Sequence, residues 1–274
     1  MNDILLTGLP RSGTTLLCAC INTLADCLAL AEPISPPTHG NVEAALEFIS
    51  AFLSATRERA LRDRQVTTKS TVLGLKTENW FETPTTSGRL RVSSEKINDL
   101  SLDKALTPNF KLIVKQPGFF TALAQRLTDY YPVYAMVRNP LAVLASWQTV
   151  DMAVNSGHWP VAEAFSQHLR SGLEALAAPL DRQVFILAWC FEVYQRLPRE
   201  CVIRYEDLVA SPTATLFKIA GTASATNYPF HSEDLKSRYP SVNLPALARV
   251  LLPLASEFEG LYPCFADSLR IYVD

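Results

Sequence analysis

Apolar residues follow two rhythms along this chain. Short, nearly unbroken runs at Asp3–Thr7, Lys111–Val114, Pro132–Val137 and Cys201–Tyr205 have the length and continuity of strands buried on both faces. Between them, helical spacing predicts longer elements: Thr14 to about Leu28, Asn41 to about Asp63, Phe119–Asp129, a helix opened by Asn139-Pro140, Val161–Ala177, Asp181–Leu197, Pro212–Gly221 and Ala246–Glu259. In the second of these, Val42, Ala45, Leu46, Ile49, Phe52 and Leu53 fall on one stripe. Asn41 and Asn139 are suited to cap their helices, and Pro140 suits a first helical position. Glu32–Pro37 is loop, because Pro33, Pro36 and Pro37 crowd it.

Strands alternating with helices predict an α/β fold: a P-loop-type three-layer α/β/α arrangement around a central parallel sheet. No internal repeat and no linker interrupts the chain, so residues 1–274 are expected to form a single domain. The stretch from about 64 to 109 breaks the rhythm. It is dense in Thr and Ser, with short apolar runs at Val72–Leu75 and Leu90–Val92, and reads as an irregular excursion with a β-ribbon turning near Thr86-Ser87-Gly88. Long excursions in compact domains are often functional. A substrate-covering role and a plain surface insertion both remain open.

Charge and cysteine usage narrow the picture. A net charge of −2 gives no basic surface for coating nucleic acid. The six Cys form no CxxC pair and have no His at metal-ligand spacing, so they read as small buried residues; Cys18, Cys20 and Cys27 fall in the first predicted helix. No metal site is expected. The apolar N-terminus is not a signal peptide: Asp3 replaces the expected cation, and Arg11, Asn22 and Asp26 interrupt the run. With no stretch of about 20 uninterrupted apolar residues to span a membrane, the expected location is cytoplasmic.

The candidate chemistry starts at the first strand. Ile4–Leu17 runs from an apolar strand through a loop into a helix with P-loop spacing, Gly8-x-x-x-x-Gly13-x-[Ser/Thr]. Thr14 stands where a kinase carries Lys. Such a loop still cradles phosphate through its N–H groups and the helix N-terminus. It has lost the cation that serves the β- and γ-phosphates of ATP, and it holds Arg11 instead. Ligands of parallel sheets bind at the carboxyl ends of the strands. Four such ends are polar here: the Gly8 loop, Lys115, Arg138 and Tyr205.

Together these segments resemble the sulfotransferases that use 3′-phosphoadenosine 5′-phosphosulfate (PAPS). Pro10-Arg11-Ser12-Gly13-Thr14-Thr15 looks like their 5′-phosphosulfate loop. Arg138-Asn139-Pro140 through Ser146-Trp147, with Arg and Ser eight positions apart, looks like their 3′-phosphate element. Arg204-Tyr205-Glu206-Asp207-Leu208-Val209 resembles the segment whose Tyr lies near the adenine. The likeness spans about residues 4 to 210 as spaced motifs.

The resemblance implies transfer of a sulfuryl group from PAPS to a hydroxyl, or less often an amine, of a small-molecule acceptor. PAP would be the other product and no metal would take part. It implies cofactor contacts at Pro10, Arg11, Ser12, Gly13, Thr14, Thr15, Arg138, Ser146 and Tyr205. Arg11 and Lys115 would stabilise the leaving phosphate. In the cytosolic branch that handles phenols and steroids, a His follows the strand-end Lys-Thr; Lys115-Gln116-Pro117 has none. The loop is instead similar to that of the tyrosylprotein-type branch, whose base is a Glu after the first helix. Glu32, twenty-one residues after Arg11, is the corresponding candidate base. His39, His158, Trp80 and Phe81 are candidates to line the acceptor pocket.

Two other readings remain on the table. An atypical P-loop kinase would need ATP and Mg2+, and leaves Arg138 and Ser146 without a role. A non-catalytic nucleotide-binding module would tolerate losses at Arg11, Lys115 or Glu32, and all three are present.

Overall fold

A computed structural model of the chain describes residues 2–37, 40–71, 74–75, 79–81, 89–222 and 234–273. In chain order its elements are β1 (Asp3–Gly8), α1 (Thr14–Ile21), β2 (Cys27–Ala31), α2 (Val42–Arg62), β3 (Gln65–Ser70), β4 (Lys96–Ser101), β5 (Lys111–Lys115), α3 (Pro117–Leu127), β6 (Val133–Val137) and α4 (Pro140–Trp147). They continue with α5 (Pro160–Phe165), α6 (Gln167–Glu174), α7 (Pro179–Gln195), β7 (Val202–Arg204), α8 (Tyr205–Ala210), α9 (Pro212–Ala220), α10 (Leu235–Arg238), α11 (Leu244–Leu251), α12 (Ala255–Phe258) and α13 (Phe265–Val273).

Five parallel strands form the central sheet in the order β2-β5-β1-β6-β7. Alternate residues of each strand feed opposite faces, so the sheet divides two cores. On one face Leu5, Leu28, Leu30, Leu112, Val114 and Ala135 pack with α2, α3, α4, α7 and the C-terminal helices. On the other, Ile4, Leu6, Ala29, Ile113, Met136 and Ile203 pack with residues of α1, α8 and α9. This is the expected three-layer α/β fold. The chain leaves β1 toward β2, on the β5 side of the sheet, and leaves the adjacent β6 toward β7, on the other side. The crevice at their carboxyl ends is therefore a topological switch point, where ligands of such sheets bind.

Four local expectations change. The first helix stops at Ile21 rather than near Leu28, and β2 follows, so Cys27 lies on a strand. The Asn22 side chain explains the stop: its Nδ2 donates to the Ala29 carbonyl and its Oδ1 accepts from the Ala29 N–H, both at 2.8 Å. This pairing closes the turn and starts the strand in place of another helical turn. The predicted helix at Val161–Ala177 is two, α5 and α6, because Ser166 adopts an extended conformation and caps α6 through Leu169 N–H. Tyr205 does not end a strand but opens α8. The tail ends in a further helix, α13, that the periodicity did not predict.

The excursion does contain an antiparallel ribbon, formed by β3 and β4 with Gln65 opposite Ser101 and Ser70 opposite Lys96. The predicted turn at Thr86-Ser87-Gly88 lies outside the described residues. The ribbon docks on the β2 edge, where the Thr68 hydroxyl accepts from the Ala31 N–H at 2.9 Å and donates to its carbonyl at 3.1 Å. That docking carries the next residue, Lys69, to Glu32. Among the described residues no helix is long and apolar enough to cross a membrane.

Candidate active site

The loop after β1 is held open by its backbone. Arg11 and Gly13 have positive φ, 70° and 98°. A Cβ at Gly13 would come within 2.6 Å of the Tyr205 ring, so loop and ring approach as closely as only glycine permits. Trp147 Nε1 donates to the Pro10 carbonyl at 2.9 Å and ties the loop to α4. No side chain caps α1. The first N–H groups of a helix have no partner within the helix, which makes such an end attractive to anions. The Ser12 hydroxyl is buried with no hydrogen-bond partner. Open N–H groups and an orphaned hydroxyl suit a phosphate or sulfate ester.

Beside the loop lies a group of arginines. Arg11 Nε donates to Ser146 Oγ at 3.3 Å, and its terminal nitrogens donate to Asn79 Oδ1, each at 3.3 Å. Arg138 lies 4.4 Å over the Tyr205 ring, the expected strand-end cation stacked on the expected aromatic. Arg91 and Arg238 join them. Burial first, then Arg91, and further Arg138 and Arg238, push the Arg11 guanidinium down to about 10, with Tyr239 acting in the opposite sense. Burial alone would raise the buried Tyr239 phenol. Arg138, the Ser146 hydroxyl, Arg238 and Arg11 outweigh burial and hold it below its ordinary range. Three guanidiniums thus act on that of Arg11, and among the described residues no carboxylate is named with them. Concentrated positive charge of this kind favours an anion.

The Glu32 side of the site is charge-paired. Lys115, at the end of β5, is buried, and its Nζ lies 2.6 Å from Glu32 Oε1 and 3.3 Å from Thr15 Oγ1. Lys69 Nζ lies 3.0 Å from Glu32 Oε2 and 3.7 Å from Glu95. Glu32 itself adopts a positive φ of 48°, and its N–H donates to the Lys115 carbonyl at 2.7 Å. Burial would raise the Glu32 carboxyl; Lys115 and Lys69 outweigh burial and hold it below the ordinary carboxylate range. Lys69 is raised above its ordinary value, because Glu32 and Glu95 overcome the opposing effect of burial.

A short roof covers both sides. Phe81 lies 4.4 Å from the Arg11 guanidinium, and Trp80 lies 4.3 Å from Lys115 Nζ. Below the roof is a cavity of about 340 Å³. Of the residues expected from sequence, Pro10, Arg11, Gly13, Thr14, Thr15, Glu32, Lys115, Arg138 and Tyr205 line it, with Trp80 and Phe81. Ser12 and Ser146 are buried beside it. His158 does not line it: that imidazole pairs with Arg182 at 3.0 Å and Glu163 at 3.5 Å, and its neighbour Trp159 takes the wall. His39 lies outside the described residues.

Sequence reasoning missed Lys69, Asn79, Arg91, Arg238 and Tyr239. The first three come from the excursion, and their spacing repeats no pattern. Arg238 and Tyr239 come from a C-terminal segment without a motif.

The sequence profile of the sulfotransferase family matches residues 3–224. Among solved structures, the chain is similar to a sulfotransferase from Alicyclobacillus acidocaldarius, with 14% identity over 98% of this chain and 99% of that chain and a TM-score of 0.44. It is also similar to the sulfotransferase domain from the curacin biosynthetic pathway, with 18% identity over 85% of this chain and 78% of that chain and a TM-score of 0.38. Sulfotransferase STF1 from Mycobacterium tuberculosis H37Rv shares 14% identity over 88% of this chain and 77% of that chain, at a TM-score of 0.31. No curated protein sequence matches the chain.

Proposed function

The chain belongs to the sulfotransferase family, and from that premise we propose that it transfers a sulfuryl group from PAPS to a hydroxyl, or less often an amine, of a small-molecule acceptor. The observation that carries this reading is the gathering of Arg91, Arg138 and Arg238 about Arg11, which itself donates to Ser146, with no carboxylate of the described residues among the groups acting on Arg11. A nucleotide with charge at both its 5′ and 3′ ends answers such a site; ATP offers nothing to Arg138 and Ser146.

PAPS supplies an activated sulfuryl group on its 5′-phosphate, and the residues of the chain do the rest. The open N–H groups of α1, with Ser12, Thr14 and Thr15, cradle the phosphosulfate end. Arg138, Ser146 and Arg238 bind the 3′-phosphate, and Tyr205 lies against the adenine. Lys115 meets the charge that collects on the departing phosphate oxygen when the sulfur–oxygen bond breaks. Arg11 spans the 5′ and 3′ ends through its place in the loop and its bond to Ser146. Glu32 takes the proton of the acceptor as its oxygen bonds to sulfur. Transfer chemistry of this kind rests on positioning and charge stabilisation.

A lowered pKa suits Glu32 to be ionised at neutral pH, and Lys115 sits between base and leaving group. The kinase reading has Thr14 against it, where the Lys of a P-loop kinase should stand. A thermal-shift titration decides between the two. PAP without metal should stabilise the protein, by ~2.7 kcal/mol at a hundred times its Kd, and ATP with Mg2+ should not. The reverse pattern overturns the proposal.

A further inference from the structure

The cavity has two unlike walls. One carries Arg11, Arg138 and Arg238. The other is built from Trp80, Met152, Trp159 and Val161, with Pro117 and Gly118 at the start of α3. This second wall adjoins Glu32 and Lys115, and their charges are already matched: Lys115 and Lys69 hold Glu32, and Lys69 also faces Glu95. Among the described residues of this wall, an anionic acceptor finds no cation that lacks a carboxylate partner, and a cationic one finds Glu32 already held by two lysines. Gln116, whose Oε1 has no hydrogen-bond partner, can meet one hydroxyl there, but a sugar must replace the water around several.

The wall is also rigid. Trp159 is mostly buried, packs edge-on against Trp189 at 6.3 Å, and donates its backbone N–H to Glu163. A Cβ at Gly118 would come within 2.8 Å of Trp159 Nε1 and 3.0 Å of Cε2, so the indole fills the space that any larger residue would take. Trp80 is fixed from the other direction by Lys115 under its ring and by Ser94, whose N–H and hydroxyl both donate to the Trp80 carbonyl at 2.9 Å. Preformed aromatic walls with few polar groups select flat apolar molecules.

We propose that the acceptor is an uncharged aromatic alcohol, whose ring lodges against Trp80 and Trp159 and whose hydroxyl reaches Glu32. Trp159, backed by the absence of a side chain at Gly118, sets the shape of the slot. The inference rests on the sulfotransferase reading, and the test separates the two.

The full chain is first titrated with PAP by calorimetry, and the PAP complex is then titrated with 2-naphthol, 2-naphthoate and glucose. The expected result is that 2-naphthol binds at least tenfold more tightly than naphthoate or glucose. Gly118→Ala keeps a helical backbone but pushes its methyl into the Trp159 indole, and should weaken 2-naphthol about tenfold and leave PAP affinity within twofold. Val161→Glu places a carboxylate in the first turn of α5, where the helix tolerates it, and should weaken 2-naphthol similarly; it serves if the first variant fails to fold. Naphthoate or glucose matching 2-naphthol, or folded variants that bind 2-naphthol normally, overturn the acceptor assignment while PAP binding leaves the donor reading standing. A chain that does not bind PAP overturns both.

Discussion

The arginine wall and the tryptophan wall of one cavity solve opposite problems. Around Arg11 stand Arg91, Arg138 and Arg238, close enough to push its guanidinium down. Such a gathering of positive charge is eased when an anion arrives. Around Glu32 the charges are settled in advance, with a buried lysine on one carboxylate oxygen and a second lysine on the other. The first region is poised for tight binding of a multiply charged partner. The second leaves its selectivity to shape and its charges to the reaction. A site of this design should separate cleanly into donor affinity and acceptor turnover, and substitutions can break that separation.

The largest effect is expected at Glu32. Glu32→Gln keeps the side-chain shape and removes the base, so kcat should fall by about 10²–10⁴, with PAP affinity unchanged in calorimetry. A variant that turns over normally moves the base elsewhere. One that loses PAP affinity shows the two walls to be a single unit.

Arg138→Ala attacks the opposite wall. Loss of a charged hydrogen bond to phosphate should cost about 1.5–3 kcal/mol of PAP affinity and leave 5′-AMP affinity nearly unchanged, since that nucleotide has no 3′-phosphate. Equal losses for both nucleotides would tie Arg138 to the adenosine through Tyr205 instead. Gly13→Ala is a further probe of this wall. Its new methyl would meet the Tyr205 ring at a positive φ, so both nucleotides should weaken together, by about one to two powers of ten if loop strain and a displaced ring together cost about 1.5–3 kcal/mol.

The same contrast explains what the sequence disclosed. The arginine wall was largely legible, because a loop between strand and helix and an Arg-to-Ser spacing on a capped helix are local features. Asn139 accepts from Leu141 and Ala142 N–H as its sequence position predicts. The exceptions are informative. Arg91 reaches the site through a β-bridge to Val150, and Arg238 arrives from beyond the segment matched by the family profile. Neither has a local signal, because long-range packing puts them there. The end of α1 was misread for a similar reason: Asn22 finds Ala29 across a turn that helical periodicity does not encode. The acceptor wall was the least legible. Trp80 and Phe81 were flagged as aromatics in a patternless stretch, but the pairing of Lys69 with Glu32 depends on how the ribbon docks on β2. Nor could sequence show that Trp159 would face the cavity and His158 would turn to Arg182.

Lys69 gives the mildest and most discriminating prediction. The Glu32 carboxyl lies below its ordinary range because Lys115 and Lys69 together outweigh burial, which acts to raise it. Lys69→Met removes one of those cations and leaves burial in place, so the folded-state pKa of Glu32 must move upward. A carboxyl depressed on folding contributes stability above its unfolded pKa and loses it as pH falls through its folded pKa. The variant should therefore lose some stability at neutral pH and show a smaller further loss in acid than the parent. Its kcat/KM profile should lose activity at higher pH on the acid side, since the base is protonated sooner. Lys69 does not touch the arginine wall, so PAP affinity should be unmoved at every pH. An acid limb that stays in place would show that Lys115 alone holds the base ionised. Lys69 would then serve to fasten the ribbon, and the settled charge of the acceptor wall would rest on a single buried pair.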